Sequence, residues 1–217
     1  MTKIYLIRHA EPISVTECDQ YSSKETDQIT NEKMVLSVCG EQQAKLLSTL
    51  PVLDHIDAVL CSHYARAMGT AKYIANHNHI SFQVDSRFGE RVIGTTKEFT
   101  ENADFWMDQY LNPTYKCRDG ESQIEVQKRM WEAIQERLVI NPGKRLAVVS
   151  HGTAISFLLM KWCHLLEIDR TKRRHFTFHD KSVINDRLHT PEIFALTFDC
   201  KQQLIDVELI RNGTMNS

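Results

Sequence analysis

The chain lacks most of the features that mark specialised protein classes. No apolar stretch approaches the ~18 residues of a membrane span, so no membrane partner is expected. No charged leader followed by an apolar run opens the sequence, so no signal peptide is expected and the expected location is cytoplasmic. The formal net charge is only -2 over 217 residues, whereas a nucleic-acid-binding domain is usually strongly basic. The one basic run, Arg170-Thr171-Lys172-Arg173-Arg174, reads as a solvated loop. There is no low-complexity tract and no internal repeat. Cys18, Cys39, Cys61, Cys117, Cys163 and Cys200 stand far apart with no CxxC pair, and they read as unbridged, mostly structural thiols. No clustered carboxylate or His/Cys ligand set stands out, so no metal or other cofactor is expected; His77 and His79 read as solvent-exposed bystanders.

What remains is an ordinary globular composition, 42% hydrophobic and 25% charged. That length suffices for one good core and is short for two, which predicts a single domain over residues 1–217. Ile4 to Ile7, Ile56 to Cys61, Ile80 to Val84 and Leu146 to Val149 read as buried strands. Helical spacing appears from Gly40 to Pro51 (Ala44, Leu47, Leu50) and from Arg66 to about His77 (Ala67, Ala71, Ile74). A longer helix follows Gly120, with Ile124, Trp131, Ile134 and Leu138 on one stripe. Thr153 to Leu166 is apolar nearly all round and reads as a buried helix, while Ile193 to Phe198 and Leu204 to Ile210 read as late strands. Strands alternating with helices predict an α/β fold, with a mostly parallel central sheet covered on both faces. Glu11 to Lys33 and the irregular, lid-like stretch from Asp85 to Gly120 are longer than ordinary connections.

Two of the strands end on histidine, in Arg8-His9 and in Ser150-His151-Gly152. Parallel sheets place their ligands beyond the carboxyl ends of the strands. Both imidazoles are therefore expected at one edge, joined by Arg66 and Glu90 from later loops. Phosphoryl transfer spreads negative charge over equatorial oxygens, so it calls for fixed cationic donors more than covalent machinery. Arginine grips phosphate with paired hydrogen bonds. A neutral histidine can attack phosphorus and divide one displacement into two, provided its other nitrogen is held by an acceptor. A carboxylic acid nearby can protonate the leaving oxygen and later activate water. Gly152 and a helix starting near Thr153 would add backbone N–H donors.

These residues carry a resemblance to a known family. Leu6-Ile7-Arg8-His9-Ala10-Glu11, Cys61-Ser62-His63-Tyr64-Ala65-Arg66-Ala67-Met68-Gly69-Thr70-Ala71, Glu90-Arg91-Val92-Ile93-Gly94, Asp119-Gly120-Glu121-Ser122 and Ser150-His151-Gly152 occur in family order. In this the chain resembles the histidine phosphatase superfamily, in its phosphoglycerate-mutase-like branch. The resemblance implies a three-layer α/β/α sandwich, a phosphorylated nucleophile at His9 and a proton donor at Glu90. It also implies a phosphate pocket of Arg8, Arg66 and His151, a small phosphorylated substrate and no metal.

The chain departs from the family pattern in instructive ways. Ala10 stands where the family has glycine, which is tolerable unless the position needs a positive φ. The mutases continue after Glu-Arg with His-Tyr-Gly-x-Leu-x-Gly; here Val92 to Glu98 keeps only the first of those glycines. Hydrolysis of a phosphomonoester is therefore expected, with a phosphoglycerate mutase as the alternative and a non-catalytic phospho-ligand module as the second. Glu11, Glu98 and Glu101 are alternative proton donors. Phe99, Phe105, Trp106 and Tyr110 either pack beneath the irregular stretch or floor the leaving-group pocket. Glu17, Asp19, Glu25 and Asp27 hint against a highly anionic leaving group. Oligomeric state is open.

Overall fold

The structure, a computed structural model, describes residues 1–13, 27–94 and 101–211. Its strands are β1 (Thr2–Arg8), β2 (Ala58–Cys61), β3 (Phe82–Val84), β4 (Arg145–Ser150), β5 (His164–Ile168), β6 (Arg174–Phe178), β7 (Lys181–Asp186), β8 (Glu192–Phe198) and β9 (Leu204–Ile210). The helices are α1 (Asp27–Lys33), α2 (Val38–Ser48), α3 (Ala65–His77), α4 (Phe105–Leu111), α5 (Gln123–Ile140) and α6 (Gly152–Leu159).

Six strands form the main sheet in the order β3-β2-β4-β1-β8-β9. β3, β2, β4 and β1 run parallel, and β8 and β9 add an antiparallel edge. In β1 the two-residue period divides the apolar run cleanly. Ile4 and Leu6 face the layer holding α5 and α6, while Tyr5 and Ile7 face the layer holding α2 and α3. Helix α5 starts on a capping box between Ser122 and Glu125, which satisfies amides that the first turn leaves unpaired. The result is the expected three-layer α/β/α arrangement with a mostly parallel sheet.

Some elements differ from expectation. The apolar run from Thr153 to Leu166 is not one helix: α6 ends at Leu159, and His164 to Ile168 form β5. A run that is apolar on all sides carries no period to tell helix from strand, and pairing of β5 with β6 decides the matter. β5, β6 and β7 make a separate antiparallel sheet that sequence patterning did not reveal. Phe176, Phe178, Val183 and Ile184 join its inner face to the core around α5 and α6. Ile124 is half exposed; the buried stripe of α5 runs instead through Val126, Met130, Ala133, Ile134 and Leu138. The stretch from Glu11 to Lys33 holds α1 at its end, and residues 14–26 lie outside the described residues. The irregular stretch contains α4, and residues 95–100 within it lie outside the described residues. Cys61 and Cys163 are core residues, and burial pushes both thiols up to about 12. No described helix is long and apolar enough to cross a membrane.

Candidate active site

Register alone brings the strand ends together. Arg8 lies opposite Ser150, and Cys61 opposite Val149, so β1, β2 and β4 finish at one level. His9, Ser62 and His151 are the residues that leave these strands. His9 N–H donates to the Ser150 carbonyl at 3.0 Å, and the two imidazole centroids stand 5.0 Å apart, edge to face.

Hydrogen bonding orients each ring. His9 Nδ1 lies 2.7 Å from the Ala10 carbonyl, which can only accept, so Nδ1 carries the proton and Nε2 the lone pair. Arg66 Nε–H donates to that Nε2 at 3.1 Å. Ser62 Oγ accepts from the Tyr64 N–H at 3.2 Å and lies 2.8 Å from His151 Nε2. His151 Nδ1 is buried without a partner. Burial holds the His9 imidazole well below its ordinary value, helped by the Arg66 and Arg8 guanidiniums. Burial does the same to His151, with His9 and Arg66 adding to it. Both rings are neutral at neutral pH.

Ala10 itself has no positive φ, and its N–H donates to Thr70 Oγ1 at 3.0 Å, so alanine fits here without backbone strain. Arg66 sits in the first turn of α3, buried, with its guanidinium 4.8 Å from the Tyr64 ring and bonded to the Asn31 carbonyl. Arg8 at the end of β1 bonds the Leu188 carbonyl, while its Nε has no partner. A side chain at position 152 would place its Cβ 3.2 Å from that Nε, a close contact that the Arg8 side chain would have to shift to accommodate.

Glu90 caps α6. Its Oε1 accepts from the Ala154 N–H at 2.9 Å and the Arg91 N–H at 2.8 Å, and its Oε2 takes only a longer bond, 3.3 Å, from Thr153. Arg129 braces the segment that carries it, donating to the carbonyls of Arg87, Gly89 and Glu90 while gripping Glu121 through Nε at 2.7 Å. Glu121 in turn accepts from the Val92 N–H at 2.9 Å. Gly94 and Gly120 pass so closely that a Cβ on either would strike the other segment's backbone within 2.4 Å.

Arg8, His9, Arg66, Glu90 and His151 thus converge at one edge. Of the alternative donors, Glu11 is turned to the Ser37 hydroxyl at 2.7 Å, and Glu98 lies outside the described residues, as does Phe99. Trp106 lines a cleft of about 220 Å³ beside Arg8 and Glu90, whereas Phe105 and Tyr110 are buried. Sequence reading missed the hydrogen bonds that Ser62 and Arg129 make here and the presence of Arg174 and Arg187 on the wall of the cleft. The basic run is not wholly a solvated loop: its last residue, Arg174, starts β6 and is buried against the cleft. A run of like charges hides the one member whose neighbours Phe176 and Phe178 alternate as a strand would.

Residues 4–192 match the family model of the histidine phosphatase superfamily (branch 1). The chain belongs to this superfamily. Proteins named probable phosphoglycerate mutase GpmB from Escherichia fergusonii and Yersinia enterocolitica are 30% and 28% identical over 166 residues, 73% of this chain and 74% of each relative. A mycobacterial glucosyl-3-phosphoglycerate phosphatase superposes with a TM-score of 0.65 at 16% identity, covering 95% of this chain and 96% of that one. A phosphoserine phosphatase variant from Entamoeba histolytica superposes at 0.63 with 20% identity, covering 100% and 98%. At such identities the structural likeness speaks for the fold. The superfamily includes phosphatases and mutases, which places the chain among phosphoryl-transfer enzymes.

Proposed function

We propose that this superfamily member is a metal-independent phosphomonoester hydrolase working through a phosphohistidine at His9. The observation that carries the reading is the tautomer of His9: Nδ1 is committed to the Ala10 carbonyl, so Nε2 presents its lone pair among Arg8, Arg66 and His151. In the first step Nε2 attacks phosphorus, the P–O bond breaks and the leaving oxygen takes a proton from Glu90. Oε2, the less engaged oxygen, is the one that exchanges it. Arg66 Nε turns from the lone pair to a phosphoryl oxygen as phosphorus arrives. The partnerless Arg8 Nε and His151 Nδ1–H supply further donors to the equatorial oxygens. In the second step water gives a proton to Glu90 and attacks phosphorus, the P–N bond breaks, and phosphate leaves. The stretch from residue 85 to 120 acts as a lid-like part of the same single domain.

The names of the curated relatives favour phosphoglycerate mutase as a second reading. The same intermediate serves it, with the phosphoryl group returned to the sugar acid instead of water. Incubation with 3-phosphoglycerate separates the two by yielding free phosphate or 2-phosphoglycerate. Acid-labile phosphate on His9 during turnover, with turnover abolished in His9→Ala and unaffected by chelator, is the expected result. Undiminished activity in His9→Ala overturns the reading, and tight phosphoester binding with no phosphoenzyme points to a non-catalytic module.

A further inference from the structure

The cleft beside Glu90 carries far more positive charge than one phosphoryl group needs. Its walls include Arg8, Lys172, Arg174 and Arg187, against the single carboxylate of Glu90. That carboxylate is already engaged with the amides of α6. Arg174 is only 5% exposed, yet no carboxylate among the described residues pairs with it. Its Nη1 donates to Ser156 Oγ at 3.2 Å, its Nε has no partner, and its guanidinium lies 5.2 Å from the Trp106 ring and 5.4 Å from Tyr110. Burying an unpaired guanidinium is costly, and the cost is recovered when an anion arrives. Arg187 and Lys172, exposed at the rim, likewise have no carboxylate partner among the described residues.

We propose that this cleft is a leaving-group subsite for a second anionic group, carboxylate or phosphate, held by Arg174 with Arg187 and Lys172 at its mouth. This rests on the phosphatase reading, because the direction follows from Glu90. If Glu90 protonates the leaving oxygen, whatever is attached to that oxygen extends from Glu90 and Arg8 along the cleft towards β6 and the residues after β7. His9, Arg66 and His151, at the nucleophile end, are not among the residues that line this cleft. Preferred substrates are therefore small phosphomonoesters whose alcohol itself carries a negative charge. This runs against the hint taken from the acidic residues 17 to 27, whose side chains lie outside the described structure.

Matched esters test the subsite. Glycerol 3-phosphate and 3-phosphoglycerate differ in a hydroxymethyl against a carboxylate, and glycerol 1,3-bisphosphate carries a phosphate on that hydroxymethyl. Wild-type kcat/KM is expected to favour one or both anionic esters at least tenfold, and which one identifies the group. Arg174→Gln should bring that preference within twofold, and Arg187→Ala should cut it about threefold while leaving the buried wall intact. An absent preference, or one that survives both substitutions, overturns the subsite. Calorimetric binding of the same esters to His9→Ala keeps the two proposals apart. Anion-selective binding that Arg174→Gln abolishes upholds the subsite even where wild type releases no phosphate and the hydrolase reading fails. Non-selective binding overturns the subsite even where turnover is robust.

Discussion

Two neutral imidazoles buried beside arginines should make the stability of this protein fall in mild acid. His9 and His151 are 5% and 0% exposed, and burial, reinforced by Arg66, holds both well below their ordinary value. In the unfolded chain each regains a pKa of about 6.5. Between those limits the unfolded state binds more protons than the native state, so stability rises with pH and is lost as pH falls below about 6.5. With both rings neutral in the native state throughout, integrating from pH 7.5 to 5.5 gives at most about 1.4 kcal/mol for each ring, or roughly 2.7 kcal/mol for the pair. Carboxylates whose native pKa is depressed act mainly below about pH 5, and Glu192, raised by burial, acts with the opposite sign, so a control variant is needed to isolate the two rings. Urea unfolding at pH 7.5, 6.5 and 5.5, in buffer free of phosphate, measures the loss. The control is a His9→Gln, His151→Gln double variant, whose stability should depend on pH less than wild type's, by up to about 2.7 kcal/mol over the interval. Parallel pH dependences in the two proteins would refute the burial argument.

Three further outcomes follow from the site's construction. Glu90→Gln should slow alkyl phosphates by about a hundredfold or more and aryl phosphates with good leaving groups far less; equal losses in steady-state kinetics would assign the acid elsewhere. Arg129→Ala should lower kcat about tenfold with little change in KM, because it releases the carbonyls that position Glu90 and touches no substrate. A loss confined to KM would contradict that. Gly94→Ala should destabilise the fold by more than about 1 kcal/mol in chemical denaturation, since φ is +86° and the new Cβ would lie 2.3 Å from the Arg118 carbonyl oxygen.

The main sheet was legible because its strands are short continuous apolar runs bounded by polar residues and its helices show clear faces. The division of Ile4 and Leu6 from Tyr5 and Ile7 between the two layers appears only in the structure. The site's principal residues were legible because short motifs at strand ends carry them in chain order. What patterning could not show depends on partners distant in sequence. Ser62 holds the His151 ring by a hydrogen bond across 89 positions, and Arg129 holds the Glu90 segment from the middle of a helix whose register is set by its buried stripe. β5 was hidden because its residues prolong the apolar composition of α6, and only β6 distinguishes them.

On the proposed reading, reaction and selection are built from different parts of the chain. The parallel strands β1, β2 and β4 would deliver groups that act on phosphorus, while the small sheet β5-β6-β7 delivers Arg174 and, just beyond β7, Arg187. The inner face of that sheet is anchored by Phe176 and Phe178 in the same core as α6, so Arg174 is held relative to Glu90 without a ligand. Rigid placement of an unpaired buried cation costs stability in the free protein and returns it on anion binding. A charged leaving group then stabilises the fold through the same contact that selects it. Arg174→Gln should accordingly raise the stability of the free protein or leave it unchanged in thermal unfolding, while erasing the added stabilisation from an anionic ester over a neutral one. A large loss of stability in the free variant would mean that Arg174 is a structural cation, satisfied by Ser156 and the rings of Trp106 and Tyr110 alone.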